Sequence, residues 1–176
     1  MATINLLPDS TVSNAWTIVG GSGTVHQNLA DTSDTSDIRT QDQNRVAVVE
    51  LADYSAGGTI DSIRHYVRGF KFLTRGGDTE IQVRITNSSG TTLYAENHQL
   101  LVNGYVAQDF YGTARTTSDG SSAWTDGDLD GLRLDINTSP EDPDGISYAV
   151  IVKAYVEVTY TGVAVTDNAI FFGHNF

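Results

Sequence analysis

Apolar and polar residues alternate with a period of two along much of this chain, a pattern that predicts strands rather than helices. In Thr79–Thr86, Ile81, Val83 and Ile85 interleave with Glu80, Gln82 and Arg84, which reads as a strand with one wet face. Leu132, Leu134 and Ile136 interleave with Arg133 and Asp135. Beyond a polar stretch from Asn137 to Gly145, the residues Tyr148, Val150, Val152, Ala154, Val156, Val158 and Tyr160 share one parity. These two segments predict a β-hairpin whose second strand offers one apolar wall, with Lys153, Glu157 and Thr159 facing the other way.

Ile60 to Leu73 differs, because Tyr66, Phe70 and Phe72 lie on one parity and Ile63, Val67 and Leu73 on the other. A long strand buried on both faces fits this pattern, with Gly69 marking a bulge or a close backbone contact. Arg45–Leu51 is a compact apolar strand, and Asn87-Ser-Ser-Gly90 has the composition of a hairpin loop. Thr91–Leu101 and Tyr105–Tyr111 supply two more strands around Asn103-Gly104. Asp31–Asn44, with a short strand at Ser36–Arg39, and Thr113–Ser122 read as polar surface excursions.

Roughly eight to ten strands, closely spaced turns and no helical crossover predict an all-β fold: an antiparallel β-sandwich of jelly-roll or Greek-key type. Residues 1–13 read as an extended N-terminal arm, 14–162 as the sandwich and 163–176 as a C-terminal tail. That tail carries Ile170, Phe171, Phe172 and Phe176, and burying one Phe is worth roughly 1.5–3 kcal/mol. These four residues are therefore expected either to fold back on the sandwich or to dock on a partner subunit.

Composition narrows the functional classes. The 176 residues include 22 acidic and 10 basic side chains, a formal charge of −12, and of the basic ones only Lys71 and Lys153 are lysines. Such a surface repels nucleic acid and anionic lipid, so neither is an expected partner. No run approaches the ~20 apolar residues of a membrane span. Met1–Pro8 lacks a basic region followed by an apolar core, which predicts synthesis without an export signal. There is no cysteine, hence no disulfide or thiolate metal site.

Candidate chemistry is sparse. Asp126-Gly-Asp-Leu-Asp-Gly131 matches the first half of a calcium loop, in which Asp126, Asp128 and Asp130 would ligate Ca²⁺. The last ligand position of such a loop, where a bidentate Glu belongs, holds Asn137. Asp and Gly are also the favoured residues of plain turns, and on that reading no cofactor is needed. Glu141-Asp-Pro-Asp-Gly145 reads as a structural turn. His26, His65, His98 and His174 are scattered without ligand spacing. Gly20-Gly-Ser-Gly23 lacks the lysine of a phosphate loop, and Arg75-Gly-Gly-Asp78 is not an adhesive tripeptide. Trp16 and Trp124 are either sugar-stacking platforms or core anchors, the latter being the commoner role of a Trp at a strand margin. No catalytic residues are assigned, and an enzyme is not expected.

Ala123-Trp-Thr-Asp-Gly-Asp-Leu-Asp-Gly-Leu-Arg-Leu-Asp-Ile-Asn137, followed by Ile151-Val-Lys-Ala-Tyr-Val-Glu-Val-Thr-Tyr160, resembles structural proteins of tailed bacteriophages. Such proteins pair a Trp and an acidic turn with alternating leucines and finish on a long valine-rich strand. The resemblance implies a non-enzymatic virion component made in the host cytoplasm, of the capsid decoration (cement) protein type. Its implied partners are the major capsid protein or other virion subunits, and its implied state a homo-oligomer, a trimer by analogy. The alternative is a tail- or fibre-associated sandwich that binds a host-surface glycan.

Overall fold

The computed structural model describes residues 1–21, 23–31, 35–42, 44–72, 79–100, 106–138 and 148–162. Its elements are β1 (Ala2–Leu6), β2 (Pro8–Asn14), β3 (Thr17–Val19), α1 (Val25–Ala30), β4 (Asp37–Thr40), β5 (Val46–Leu51), β6 (Thr59–Phe72) and β7 (Thr79–Thr86). These are followed by β8 (Thr92–Leu100), β9 (Gln108–Tyr111), α2 (Asp126–Leu129), β10 (Arg133–Thr138) and β11 (Tyr148–Thr161).

The pairing is nested and antiparallel throughout: β7 with β8, β6 with β9, β5 with β10, and β4 with β11. One sheet runs β3-β4-β11-β6-β9, with β1 also against β11, and the other runs β2-β5-β10-β7-β8. Successive nested pairs therefore fall alternately in the two sheets, as in a long hairpin folded over itself. That is jelly-roll order, and the all-β antiparallel sandwich expected from the alternation is the fold observed.

The predicted hairpin between the last two strands does not form. β10 pairs with β5 and β7, whereas β11 lies in the opposite sheet. Both strands carry one apolar face, and the two faces meet across the core instead of lying side by side: Leu134 and Ile136 join Val156 and Val158 in one buried cluster.

The single apolar wall of β11 also needs correction. Ile151 pairs with Gly69 but Lys153 with Arg68, so Val152 is an extra residue that inverts the alternation. Ala154, Val156 and Val158 face the core. Val150 and Val152 join Phe70, Phe72 and Tyr148 in a separate cluster on the outer face. Gly69 sits at the bulge because a Cβ there would lie 2.5 Å from the Val150 carbonyl oxygen and 2.7 Å from Ile151 Cδ1. The expectation of β6 as a strand buried on both faces holds, since Ile63 and Val67 enter the core while Phe70 enters the outer cluster.

The N-terminal segment is extended, and it is incorporated in both sheets. β1 pairs with β11 and β2 with β5, and Leu6 is buried. Trp16 and Trp124 are core anchors, their indole N–H groups donating to the Arg45 and Arg115 carbonyls at 2.8 and 2.9 Å. At the β7–β8 turn the Asn87 side-chain oxygen accepts from the Ser89 and Thr91 N–H groups, and Gly90 takes a φ of 83°. Among the described residues no helix is long and apolar enough to cross a membrane. Arg75-Gly-Gly-Asp78, Asn103-Gly104, Glu141–Gly145, His174 and the tail residues Ile170, Phe171, Phe172 and Phe176 lie outside the described residues.

Candidate functional site

Three neighbouring strands bring Tyr111 (β9), Tyr66 (β6) and Tyr155 (β11) into one cross-strand row, because Tyr66 is the register partner of both others. Paired residues point to the same side of a sheet. Val67 and Val156, next along their strands, face the core, so the tyrosines face outward. The Tyr66 ring stacks on Tyr155 at 4.4 Å between centroids and meets Tyr111 at 5.0 Å. The Arg64 guanidinium lies 4.6 Å from the Tyr111 centroid and the Lys153 ammonium 5.8 Å from that of Tyr155. Cation, three rings and cation thus form one continuous ladder, in which each positive group faces the electron-rich face of a ring.

Charged pairs flank the row on both sides. Arg64 and Glu157 pair at 2.6 Å, and Arg68 and Asp109 at 2.7 Å. Asp109 also accepts a hydrogen bond from the Tyr66 hydroxyl at 2.7 Å. Burial, reinforced by this bond, pushes the Tyr66 phenol well above its ordinary value, while Tyr66 and Arg68 hold the Asp109 carboxyl below the usual carboxylate range. Burial raises Tyr155 as well. Tyr66 and Tyr155 are held inside the ladder, and Tyr111, 48% exposed, is the ring it presents to solvent. The result is an aromatic platform bordered by alternating donors and acceptors.

A second cluster lies at the edge between the sheets. His65 on β6 points inward and meets His98 on β8, with the two Nε2 atoms 2.7 Å apart. Glu96 lies two residues from His98 on the same strand and therefore on the same face. One ligand atom from each of the three lies within 4.8 Å of the others. Burial, then the neighbouring His98, pushes His65 down to about 4, and burial lowers His98. Burial would raise the Glu96 carboxyl, but hydrogen bonds from the Thr113 N–H and the Arg115 guanidinium outweigh it and keep the group low. Each histidine alone looked ordinary in sequence. The signal that could have found His65 is its place on the apolar parity of β6, between Ile63 and Val67; His98 shares its parity with Thr92, Tyr94, Glu96 and Leu100, which gives no such signal.

Asp126, Asp128 and Asp130, the candidate Ca²⁺ ligands, lie on and beside the short helix α2. Asp126 and Asp128 lie in the first turn of α2, and Asp130 is its C-cap. The Asp128 carboxylate accepts from the Thr125 N–H and hydroxyl at 2.8 and 2.7 Å, closing a capping box. The three acidic groups do not come within 4.8 Å of one another as a set. An open cleft of about 350 Å³ beside them is lined in part by Asn87, Ser88, Asp119, Asp128 and Asp130. Asp119 is held far below the usual carboxylate range by the Ser122 and Ser121 N–H groups of its own turn.

No protein-family model and no curated protein matches the chain. Among solved structures it is similar to the xylan-binding module CBM15, with 11% identity, a TM-score of 0.50, and coverage of 93% of this chain and 99% of that one. It is also similar to the CBM36-1 domain of a multidomain xylanase from the hindgut metagenome of Trinervitermes trinervoides, at 9% identity and a TM-score of 0.42, covering 92% and 98% of the two chains. A third similarity, to the MgGH51 α-L-arabinofuranosidase, has 9% identity and a TM-score of 0.48 and covers 88% of this chain but 26% of the enzyme. What the chain shares with CBM15 is the fold, an all-β sandwich.

Proposed function

We propose that this protein is a non-enzymatic binding module that takes a glycan on the outer face of the β9-β6-β11 sheet. The Tyr111–Tyr66–Tyr155 row carries this reading. A sugar ring has weakly positive C–H groups that stack on an aromatic face, and hydroxyls that need paired donors and acceptors at its rim. Tyr111 provides the exposed ring, while Arg64, Glu157, Arg68 and Asp109 provide the rim. The same sandwich architecture serves CBM15 as a xylan-binding module, although function rests on the site and not on the fold. The resemblance of the Trp124–Asn137 and Ile151–Tyr160 segments to tailed-phage structural proteins suggests the setting, a tail- or fibre-associated module facing a host-surface glycan.

The test is a glycan array followed by affinity electrophoresis in neutral polysaccharide, comparing wild type with Tyr111→Ala. Retardation should be lost in the variant while its circular dichroism is unchanged. Absence of binding to every glycan, or equal retardation of both proteins, would overturn the reading.

The same sequence resemblance favours a second reading, a capsid decoration protein that binds the coat lattice as an oligomer. Co-sedimentation with phage capsids separates the two. Saturable capsid binding that survives Tyr111→Ala, without glycan binding, would support the decoration role.

A further inference from the structure

We infer that His65, Glu96 and His98 form a binding site for a divalent transition-metal ion, with Zn²⁺ the best-suited occupant. This inference stands apart from the glycan reading, since the cluster lies on the inner side of β6 and the tyrosine row on the outer side. Two imidazoles and one carboxylate are a donor set suited to Zn²⁺ and its neighbours in the first transition row. The hard-oxygen shell that Ca²⁺ requires is not present here.

The geometry favours a shared ligand. The two Nε2 atoms face each other at 2.7 Å, with the Glu96 carboxylate close to both. Tetrahedral ligands at about 2.0–2.1 Å from zinc lie roughly 3.3 Å apart, so the imidazoles need to separate by only about 0.6 Å. His98 can supply this movement because it is on an edge strand and only half-buried.

The surrounding groups fix the orientation of the ligands, as metal sites require. Gly112 lies against the His65 ring, where a Cβ would come within 2.3 Å of it, and its N–H donates to the His65 carbonyl at 2.9 Å. Thr113 N–H and Arg115 hold Glu96 at 3.0 and 2.8 Å. Phe110 lies against His98 with ring centroids 5.5 Å apart. His65 is 4% exposed, whereas Glu96 and His98 reach the surface and give an ion a way in.

The test uses the full chain stripped with chelator, then titrated calorimetrically with ZnCl₂, and with CoCl₂ while following visible absorption. His98→Ala and Glu96→Gln are the test variants, since both positions are partly exposed and both variants should fold; His26→Ala controls for adventitious histidine binding. The expected result is one equivalent of Zn²⁺ per chain, a Zn²⁺-dependent rise in melting temperature, and Co²⁺ bands in the visible. His98→Ala should weaken binding by more than about tenfold and abolish the thermal shift. His26→Ala should bind as wild type does. Absence of saturable binding, or undiminished binding by both His98→Ala and Glu96→Gln, would overturn the site and leave the contact as a histidine–histidine hydrogen bond.

Discussion

Tyr66 stacks on Tyr155 with ring centroids 4.4 Å apart, and its hydroxyl donates to Asp109 at 2.7 Å. One residue therefore links the aromatic row to the charged rim. Tyr66→Phe keeps the stack and removes the bond, leaving Asp109 with Arg68 as its partner. The expected loss is about 1 kcal/mol in denaturant unfolding, together with a rise of the Asp109 carboxyl pKa measured by NMR. An Asp109 titration unchanged from wild type would show that the hydroxyl does not hold it.

Gly69 meets the backbone of the bulged strand, and a backbone atom 2.5 Å from an added Cβ cannot rotate away. Gly69→Ala should therefore force β6 and β11 apart locally and destabilise the fold by roughly 1–3 kcal/mol. The shift in Tm measures this. Because the bulge sets which residues of β11 face outward, the variant should also disturb Lys153 and Tyr155. If stability and the Tyr155 environment were both unchanged, the bulge would not depend on this glycine.

The fold was legible in the chain because several strands show a clean alternation, as in β7, where Ile81, Val83 and Ile85 all end in the core. Which strands pair was not legible. Alternation reports a buried face but not whether the neighbour lies beside it or across the sandwich, and so β10 and β11 read as a hairpin. The bulge at Val152 was hidden for a related reason: an unbroken apolar parity from Tyr148 to Tyr160 looks like one face, although one extra residue turns it into two. The candidate site was less legible still. Tyr66, Tyr111 and Tyr155 are far apart in sequence, as are His65 and His98, and only the nested pairing brings them together. The acidic turn had the opposite fate: its local pattern was conspicuous, but of its three aspartates the Asp128 carboxylate closes a helix-capping box.

Acid should destabilise the protein through His65. Its imidazole titrates at about 4 in the folded chain against an ordinary 6.5, because burial and His98 disfavour its charge. Between these values the unfolded chain binds more protons than the folded one, so stability falls as pH is lowered from about 6.5 towards 4. The full effect is about 3 kcal/mol. The groups facing His65 are His98, whose own value is lowered, Glu96, whose carboxylate favours the proton, and Arg115, which opposes it. Urea midpoints measured in chelator from pH 8 to pH 4.5 should fall more steeply for wild type than for His65→Gln. Parallel profiles would show that His65 does not set the acid limb.

An N-terminal arm held in reserve for partners could be altered without effect on the isolated chain, but β1 is part of the fold. Leu6 is 2% exposed and belongs to the main core, and β1 pairs with β11 from Ala2–Tyr160 through to Leu6–Val156. Leu6→Ala removes buried methyl groups from between the sheets, with an expected loss of roughly 2–5 kcal/mol. Deleting residues 1–7 should be worse, because it also uncovers the backbone of β11 over residues 156–160 and leaves an unpaired edge that invites association. Thermal melts give the first effect, and light scattering of the truncated chain gives the second. A Leu6→Ala protein with wild-type Tm, or a truncated chain that stays monodisperse and equally stable, would show that this segment does not hold the sandwich together.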